Sequence, residues 1–341
     1  MQSQPESPPS LAPVLEPQQD PELWFEDGNV VIVAGNAAFR VHTGILSRHS
    51  EIFQNMFSVP QLVLPAPSDV FNGQPAVRVS DSAHDFRQLL HMLYDGVRFM
   101  PPDLPVAFSV IAAVARLGHK YQIEWILEEA KRRLRSVFRP SSYEEWLKQG
   151  GDSSHLCDHI PFYRWVEALK LIQVIGETDM LPLAIYQCCQ WQSRLFLFKG
   201  TQRADGTVET LDLPMLERCY KAHIRLIQRQ ALLNFETFRA GPSESCEHKE
   251  ECATAMWNIY LERVGPSPSV FLTGDPMNED NIVRMLESYI MMLESSEDSE
   301  GEDICDHCAT VLMERERDGR RKIWRDLASI TEVAVADGGW D

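Results

Sequence analysis

Between Phe39 and Phe57 the chain reads FRVHTGILSRHSEIFQNMF, placing Phe39, His42, Leu46, Ser50, Phe53 and Phe57 at steps of three and four. An extended Phe39-Arg40-Val41 leads into Thr43, a residue suited to cap a helix. Beyond it Leu46, Phe53, Met56 and Phe57 share one helical face, with Ile45 and Ile52 at its edges. The segment therefore predicts a strand that runs directly into an amphipathic helix.

The surroundings extend that pattern. Residues 1–20 are rich in Pro, Gln and Ser with no apolar run, which predicts disorder and no secretory signal. Order is expected from PELWFEDGNVVIVAG, with a turn at Asp27-Gly28 or Gly35-Asn36 and a β-branched run at Val30–Val33. Residues 58–74 carry three prolines and read as a loop. Ala76–Val79 is a short strand ahead of Asp81, a candidate cap, and the helix after it buries Phe86, Leu89, Leu90 and Leu93 and stops at Gly96. Residues 106–138 read as a helical pair interrupted near Gly118.

Three blocks carry a family resemblance: Phe39-x-x-His42-x-x-x-Leu46, then Asp85-Phe86-x-x-Leu89-Leu90-x-x-Leu93-Tyr94-x-Gly96, then Leu117-Gly118-His119-Lys120-Tyr121. In order and spacing they resemble the BTB (POZ) domain, a protein-interaction module, over about residues 23–137. The remainder reads as all-helical: PFYRWVEALKLIQVIGE and MLPLAIYQCCQWQ as helices, a turn at RADGTVET, and a long helix from DLPMLERC to NFETF. It resembles the helical extension that follows the BTB domain in a large group of basidiomycete fungal proteins. The expected organisation is a disordered segment at 1–20 and an α+β BTB/POZ domain at 21–138. An all-α C-terminal domain follows: a helical extension at 139–272, an acidic, partly disordered loop with one helix at 273–303, and a helix at 304–341 packing back on the extension.

The resemblance implies dimerisation and partner recruitment. The residues expected at the interface are Trp24, Phe25, Val30, Ile32, His42, Ile45, Leu46 and His49, with exposed aromatics suited to anchor it or to pack on their own domain. Asp27 matches the acidic position that begins the first strand in BTB domains, near the dimer interface, and His42 a structural position at the strand-to-helix junction. A second implied activity is substrate adaptor of a cullin-type ubiquitin ligase. The apolar-x-Glu motif common in cullin-binding members is missing from Ser58–Val63, and no substrate-capturing partner domain is seen. A zinc-stabilised regulatory or transcription-associated scaffold is a further alternative.

The formal charge of −18 argues against a nucleic-acid partner, because phosphate binding needs a concentrated basic surface. The runs Lys131-Arg132-Arg133 and Arg320-Arg321-Lys322 read as solvated helix faces. No apolar window is long enough for a membrane span. With eight cysteines, metal binding or burial in an intracellular compartment, cytoplasm or nucleus, is expected over a disulfide framework. No nucleophile elbow, phosphate-cradling glycine loop or HExxH occurs, so no enzyme is expected.

The constellation with chemical content is late in the chain. Cys246-x5-Cys252 and Cys305-x2-Cys308 supply two thiol pairs, each close to a helix start, with His248 and His307 as alternates. Two such pairs can complete the tetrahedron of a structural zinc, leaving no open position. Four unrelated thiols is the other reading. Cys188, Cys189 and Cys219 read as core, and Cys157 as a surface loop or part of a second metal site with His155, Asp158 and His159. Ser295 and Ser299, in the acidic run 294–303, suit an acid-directed kinase, though a solubilising loop is the simpler reading of the run; Met285, Met291 and Met292 suit core filling or a partner helix.

Overall fold

The computed structural model describes residues 16–58, 70–150, 153–190, 194–264, 277 and 304–335. The chain divides into two compact units, Met1–Pro101 with Ala113–Leu127, and Pro102–Ala112 with Glu128–Asp341. The acidic run, its two serines and the methionine group of the preceding subsection lie outside the described residues.

In the first unit β1 (Gln18–Trp24), β2 (Val30–Ala34), β3 (Ala37–Val41), β4 (Val70–Phe71) and β5 (Gln74–Val79) form a mixed sheet in the order β1-β3-β2-β5-β4. β2 and β3 are an antiparallel hairpin closed by Gly35-Asn36, with Gly35 at φ +56°. β1 lies parallel to β3 and β5 parallel to β2. β1 starts at Gln18, within the stretch expected to be disordered, because its backbone pairs with β3 from Gln18 on.

The helix expected from Thr43 to Phe57 is two helices, α1 (Thr43–His49) and α2 (Glu51–Ser58). Ser50 breaks it in an extended conformation, φ −144° and ψ 120°. Its hydroxyl donates to the Tyr121 carbonyl at 2.6 Å and accepts the Phe53 N–H at 3.2 Å, so a tertiary contact holds the break and caps the second helix. Thr43 is the first helical residue and not the cap. Its N–H is taken by the Asn29 side chain, at 2.8 Å. Asp81 is likewise not a cap. Ser82 accepts the Asp85 N–H at the start of α3 (Ala83–Asp95), while the Asp81 carboxylate receives Lys120 Nζ at 2.6 Å and the Tyr121 hydroxyl. α3 ends at Gly96, φ 53°, where the sequence places its stop.

The core of this unit is aromatic. Phe53 stacks on Tyr121 at 4.2 Å between ring centres, and Phe86 meets Phe39 at 5.6 Å. α4 (Phe108–Lys120) and α5 (Glu124–Phe138) are the expected pair, yet their break falls at 121–123, where Gln122 has φ +53°. Gly118 lies inside α4, where a Cβ would stand 3.2 Å from the Leu127 nitrogen. Its role is close packing and not interruption.

The second unit holds α6 (Tyr143–Lys148), α7 (Trp165–Val174), α8 (Leu181–Cys189), α9 (Arg194–Lys199), α10 (Leu213–Arg239), α11 (Lys249–Val264), α12 (Asp306–Arg325) and α13 (Leu327–Ile330). Every residue of α8 is buried, including Cys188 and Cys189, and Cys219 of α10 joins them. α12 lies so close to α10 that a Cβ on Gly319 would come within 2.1 Å of Leu233. Trp324, near the end of α12, packs against Trp146 and Tyr143 at 5.7 and 5.9 Å. Cys157 is fully buried on a bridge to Val106, where burial pushes its thiol up to about 12, so it is not a surface loop; no group of three or more potential ligands among the described residues includes it.

The region is helical as expected, and the turn at RADGTVET is more than a bare turn: β6 (Thr201–Gln202) and β7 (Val208–Glu209) form a small hairpin around it. Gly200, at φ +76°, would place a Cβ 2.6 Å from the Glu209 carbonyl. Gly200→Ala is thus expected to cost about 2 kcal/mol in a urea titration, from left-handed strain and that collision. An unchanged midpoint would show that the hairpin adds nothing to the fold.

The basic runs are not simple solvated faces. Arg133 is fully buried, with Nε on Glu129 at 2.7 Å and Nη1 donating to the Leu104 and Leu156 carbonyls at 2.9 Å each. Arg320 is buried and paired with Glu316 at 2.6 Å. Periodicity places these positions on helices; only tertiary packing decides that two of the cations turn inward.

Candidate functional site

The second unit brings the two late cysteine pairs together. Cys246 lies in the turn between α10 and α11, its N–H on the Ser243 carbonyl at 3.1 Å. Cys252 lies in the first turn of α11, which begins at Lys249. Cys305 is the N-cap of α12, at φ −69° and ψ 158°, and Cys308 is in its first turn. A polar capping residue at 305 would fold the same helix start, so a cysteine there points to chemistry beyond capping.

The four sulfurs all lie within 4.8 Å of one another, and Cys305 Sγ stands 3.7 Å from Cys246 Sγ. Zn–S bonds of about 2.3 Å in a tetrahedron put sulfurs about 3.8 Å apart, so this spacing suits one ion held by four thiolates. Three of the sulfurs already accept backbone N–H groups: Cys252 from Cys305 at 3.4 Å, Cys308 from Ser243 at 3.3 Å, and Cys305 from Cys308. Such outer hydrogen bonds orient thiolate ligands and offset their charge. Phe238, Met256, Ile304 and Leu312 wall the group. His248 and His307 are both exposed and outside it; with four sulfurs converging, neither alternate is needed.

The protonation preferences follow from this crowding. Burial raises Cys252 and pushes Cys308 up to about 12. Burial would raise Cys305 too, but hydrogen bonds from the Cys308 backbone N–H and the neighbouring thiols outweigh it and hold Cys305 below the ordinary thiol range. Four such groups ionise together only if a cation compensates them. The cluster could hold a metal ion, and it is the one group of three or more potential ligands among the described residues.

The other candidate surface is in the first unit. Ile32 and Leu46 are fully buried in the core and offer no surface to a partner, which removes them from the expected interface set. Trp24, Phe25, Val30, His42, Ile45 and His49 are half-buried. Trp24 packs edge-on against Phe71 at 5.9 Å, and Phe25 stacks on Tyr94 at 4.7 Å. Tyr94 ties the junction: its hydroxyl accepts the His42 N–H at 2.9 Å and lies 3.0 Å from His42 Nδ1. The hydroxyl proton then serves Nδ1, leaving His42 Nε2 to face Asp27 at 3.3 Å. His42 is therefore part of a structural network, and burial raises the Tyr94 phenol. His49 accepts the Trp125 indole N–H at 3.2 Å, and burial, with Arg48 beside it, lowers its pKa.

Residues 24–136 match the family model of the BTB/POZ domain. The chain carries an N-terminal BTB/POZ domain. A helical C-terminal region follows it. A comparison with curated proteins gives no match. The BTB/POZ fold is a protein-interaction fold, and the three sequence blocks now have physical reasons. Phe39, Leu46, Phe86, Leu89 and Leu90 build the core, Tyr94 holds His42, and Tyr121 closes on Phe53, Ser50 and Asp81. Residues 59–69, which include most of the Ser58–Val63 stretch that lacks the apolar-x-Glu motif, lie outside the described residues. No helix among the described residues is long and apolar enough to cross a membrane.

Sequence reading missed the roles of Tyr94 and Trp125. Tyr94 stands in the second sequence block with no role of its own, and only the fold brings its hydroxyl to His42, 52 residues earlier. Trp125 had no signal beyond being an aromatic on an amphipathic helix.

Proposed function

We propose that the protein is a non-enzymatic interaction module that forms a homodimer through its BTB/POZ domain and recruits a protein partner, with zinc holding the C-terminal helical region. The dimer reading rests on the half-buried apolar set Trp24, Phe25, Val30 and Ile45, carried on a domain whose fold is a protein-interaction fold. A Trp anchor of this kind contributes strongly to an interface when a partner completes its burial. The zinc reading rests on four sulfurs within 4.8 Å of one another, one pair of them at 3.7 Å, close enough for a single tetrahedral ion. A set of four thiolates without an open position makes the ion structural. Eight cysteines present as free thiols suit a reducing compartment within the cell.

Native mass spectrometry of the full chain tests the dimer. Trp24→Asp with Ile45→Asp should convert dimer to monomer, since anchors worth about 2 kcal/mol each weaken association about 30-fold apiece. Circular dichroism on the same sample checks that the domain stays folded. A folded double variant that remains dimeric overturns this interface. Elemental analysis of the unaltered protein should give one zinc per chain.

A further inference from the structure

Among the four sulfurs the accessible one, Cys305, lies 3.7 Å from Cys246, which belongs to the other segment. Cys305 is the only half-buried cysteine of the group; Cys246, Cys252 and Cys308 are buried. Cys252 and Cys308 accept backbone N–H groups from Cys305 and Ser243, and Cys305 accepts one from Cys308. Cys246 Sγ lies 3.7 Å from Cys305 Sγ, across the two segments. An oxidant entering from solvent meets Cys305 first, and Cys246 is poised to resolve what forms there.

We propose that the four-sulfur site is a peroxide-sensitive crosslink in which one equivalent of hydrogen peroxide joins Cys246 to Cys305, expels the metal and keeps α12 tied to the α10–α11 turn. The metal part of this rests on the zinc reading above; the choice of sulfur pair does not. The chemistry balances in two steps. The Cys305 thiolate attacks one peroxide oxygen and the O–O bond breaks, giving Cys305 sulfenic acid and hydroxide. The Cys246 thiolate then attacks the Cys305 sulfur, forming the S–S bond and releasing a second hydroxide. Two thiols are oxidised by two electrons, and the peroxide becomes water once both hydroxides are protonated. Two ligands are lost to the metal, and the remaining two thiolates cannot retain it in a tetrahedral site.

The pairing decides the consequence. A bond within Cys305-x2-Cys308 or within Cys246-x5-Cys252 would close a loop inside one segment and release α12 from the α10–α11 turn. A bond between Cys246 and Cys305 spans 59 residues and replaces the metal as the link. Peroxide and chelation therefore differ in effect: both empty the site, yet only the peroxide-treated chain keeps the crosslink.

The test treats the purified full chain with one equivalent of hydrogen peroxide, then blocks free thiols and maps disulfides by peptide mass spectrometry. A zinc-binding dye follows metal release in the same cuvette. The expected result is a Cys246–Cys305 bond in most chains, release of the zinc in step with it, and a melting temperature above that of chelator-treated, reduced protein. A mapped Cys305–Cys308 or Cys246–Cys252 bond, a sulfinic acid at Cys305 without a bond, or four thiols left intact each overturns the proposal. If the starting protein holds no metal, the zinc reading fails by itself, and the mapped pair still decides the crosslink. Cys308→Ser should retain the Cys246–Cys305 bond, whereas Cys246→Ser should lose every bond between the two segments.

Discussion

Changing Cys305 and Cys308 together to serine should lower the melting temperature of the full chain's second transition by about 10 °C and abolish its zinc content. The size follows from linkage. A ligand held at about 1,000 times its dissociation constant stabilises the folded state by about 4 kcal/mol, and a region of this size shifts about 2–4 °C per kcal/mol. The effect should be reproduced by a strong chelator on the unaltered protein and should be absent for Cys157→Ser, whose buried thiol is outside the sulfur group. Calorimetry with elemental analysis on the three samples checks it. A double variant that melts with the parent would reduce the cluster to four packed thiols. Because the ligands must lose protons, zinc should also be released more readily as the pH falls.

Arg133→Met should cost the second unit about 3–5 kcal/mol, because the guanidinium is fully buried and meets three fixed acceptors. Methionine fills the volume but leaves the Leu104 and Leu156 carbonyls and one Glu129 oxygen without that donor. Burial tends to raise the Glu129 pKa, and hydrogen bonds from Arg132 and Arg133 reverse this, so its folded value lies below the unfolded one. A depressed carboxylate contributes stability that is full above the unfolded pKa and is lost as pH falls through the folded value. The unaltered protein should therefore lose part of its stability on acidification through the carboxylate range, and Arg133→Met should show a shallower loss. Urea titrations at neutral and acidic pH, with Glu129→Gln closing the double-mutant cycle, measure both. A cost under about 1 kcal/mol would show that the buried cation is dispensable.

The core of the BTB/POZ domain was legible because its signal is local. Leu46, Phe53, Phe86, Leu89 and Leu90 recur at helical spacing, and all are fully buried. Caps were less legible. Thr43 and Asp81 have capping chemistry, but the N–H groups concerned are satisfied by Asn29, remote in sequence, and by Ser82, one residue on. Periodicity also could not see the break at Ser50, since the partner that holds it, the Tyr121 carbonyl, is 71 residues away. Burial of charge followed the same rule: the sequence shows three adjacent cations at 131–133, while the carbonyls that draw in one of them come from residues 104 and 156.

For the sulfur site, residue type and pairing were readable and the geometry was not. Cys-x5-Cys and Cys-x2-Cys each place two thiols near a helix start, which is a property of sequence spacing. That the two pairs meet, with Cys246 and Cys305 in contact and both histidines left outside, depends on how α11 and α12 pack against the end of α10. The sequence by itself determined the α+β start, the helical remainder and the identity of the thiols, because periodicity and spacing act over a few residues. Tertiary structure alone decided which polar groups are buried and which sulfurs converge, because those outcomes depend on partners tens of residues away.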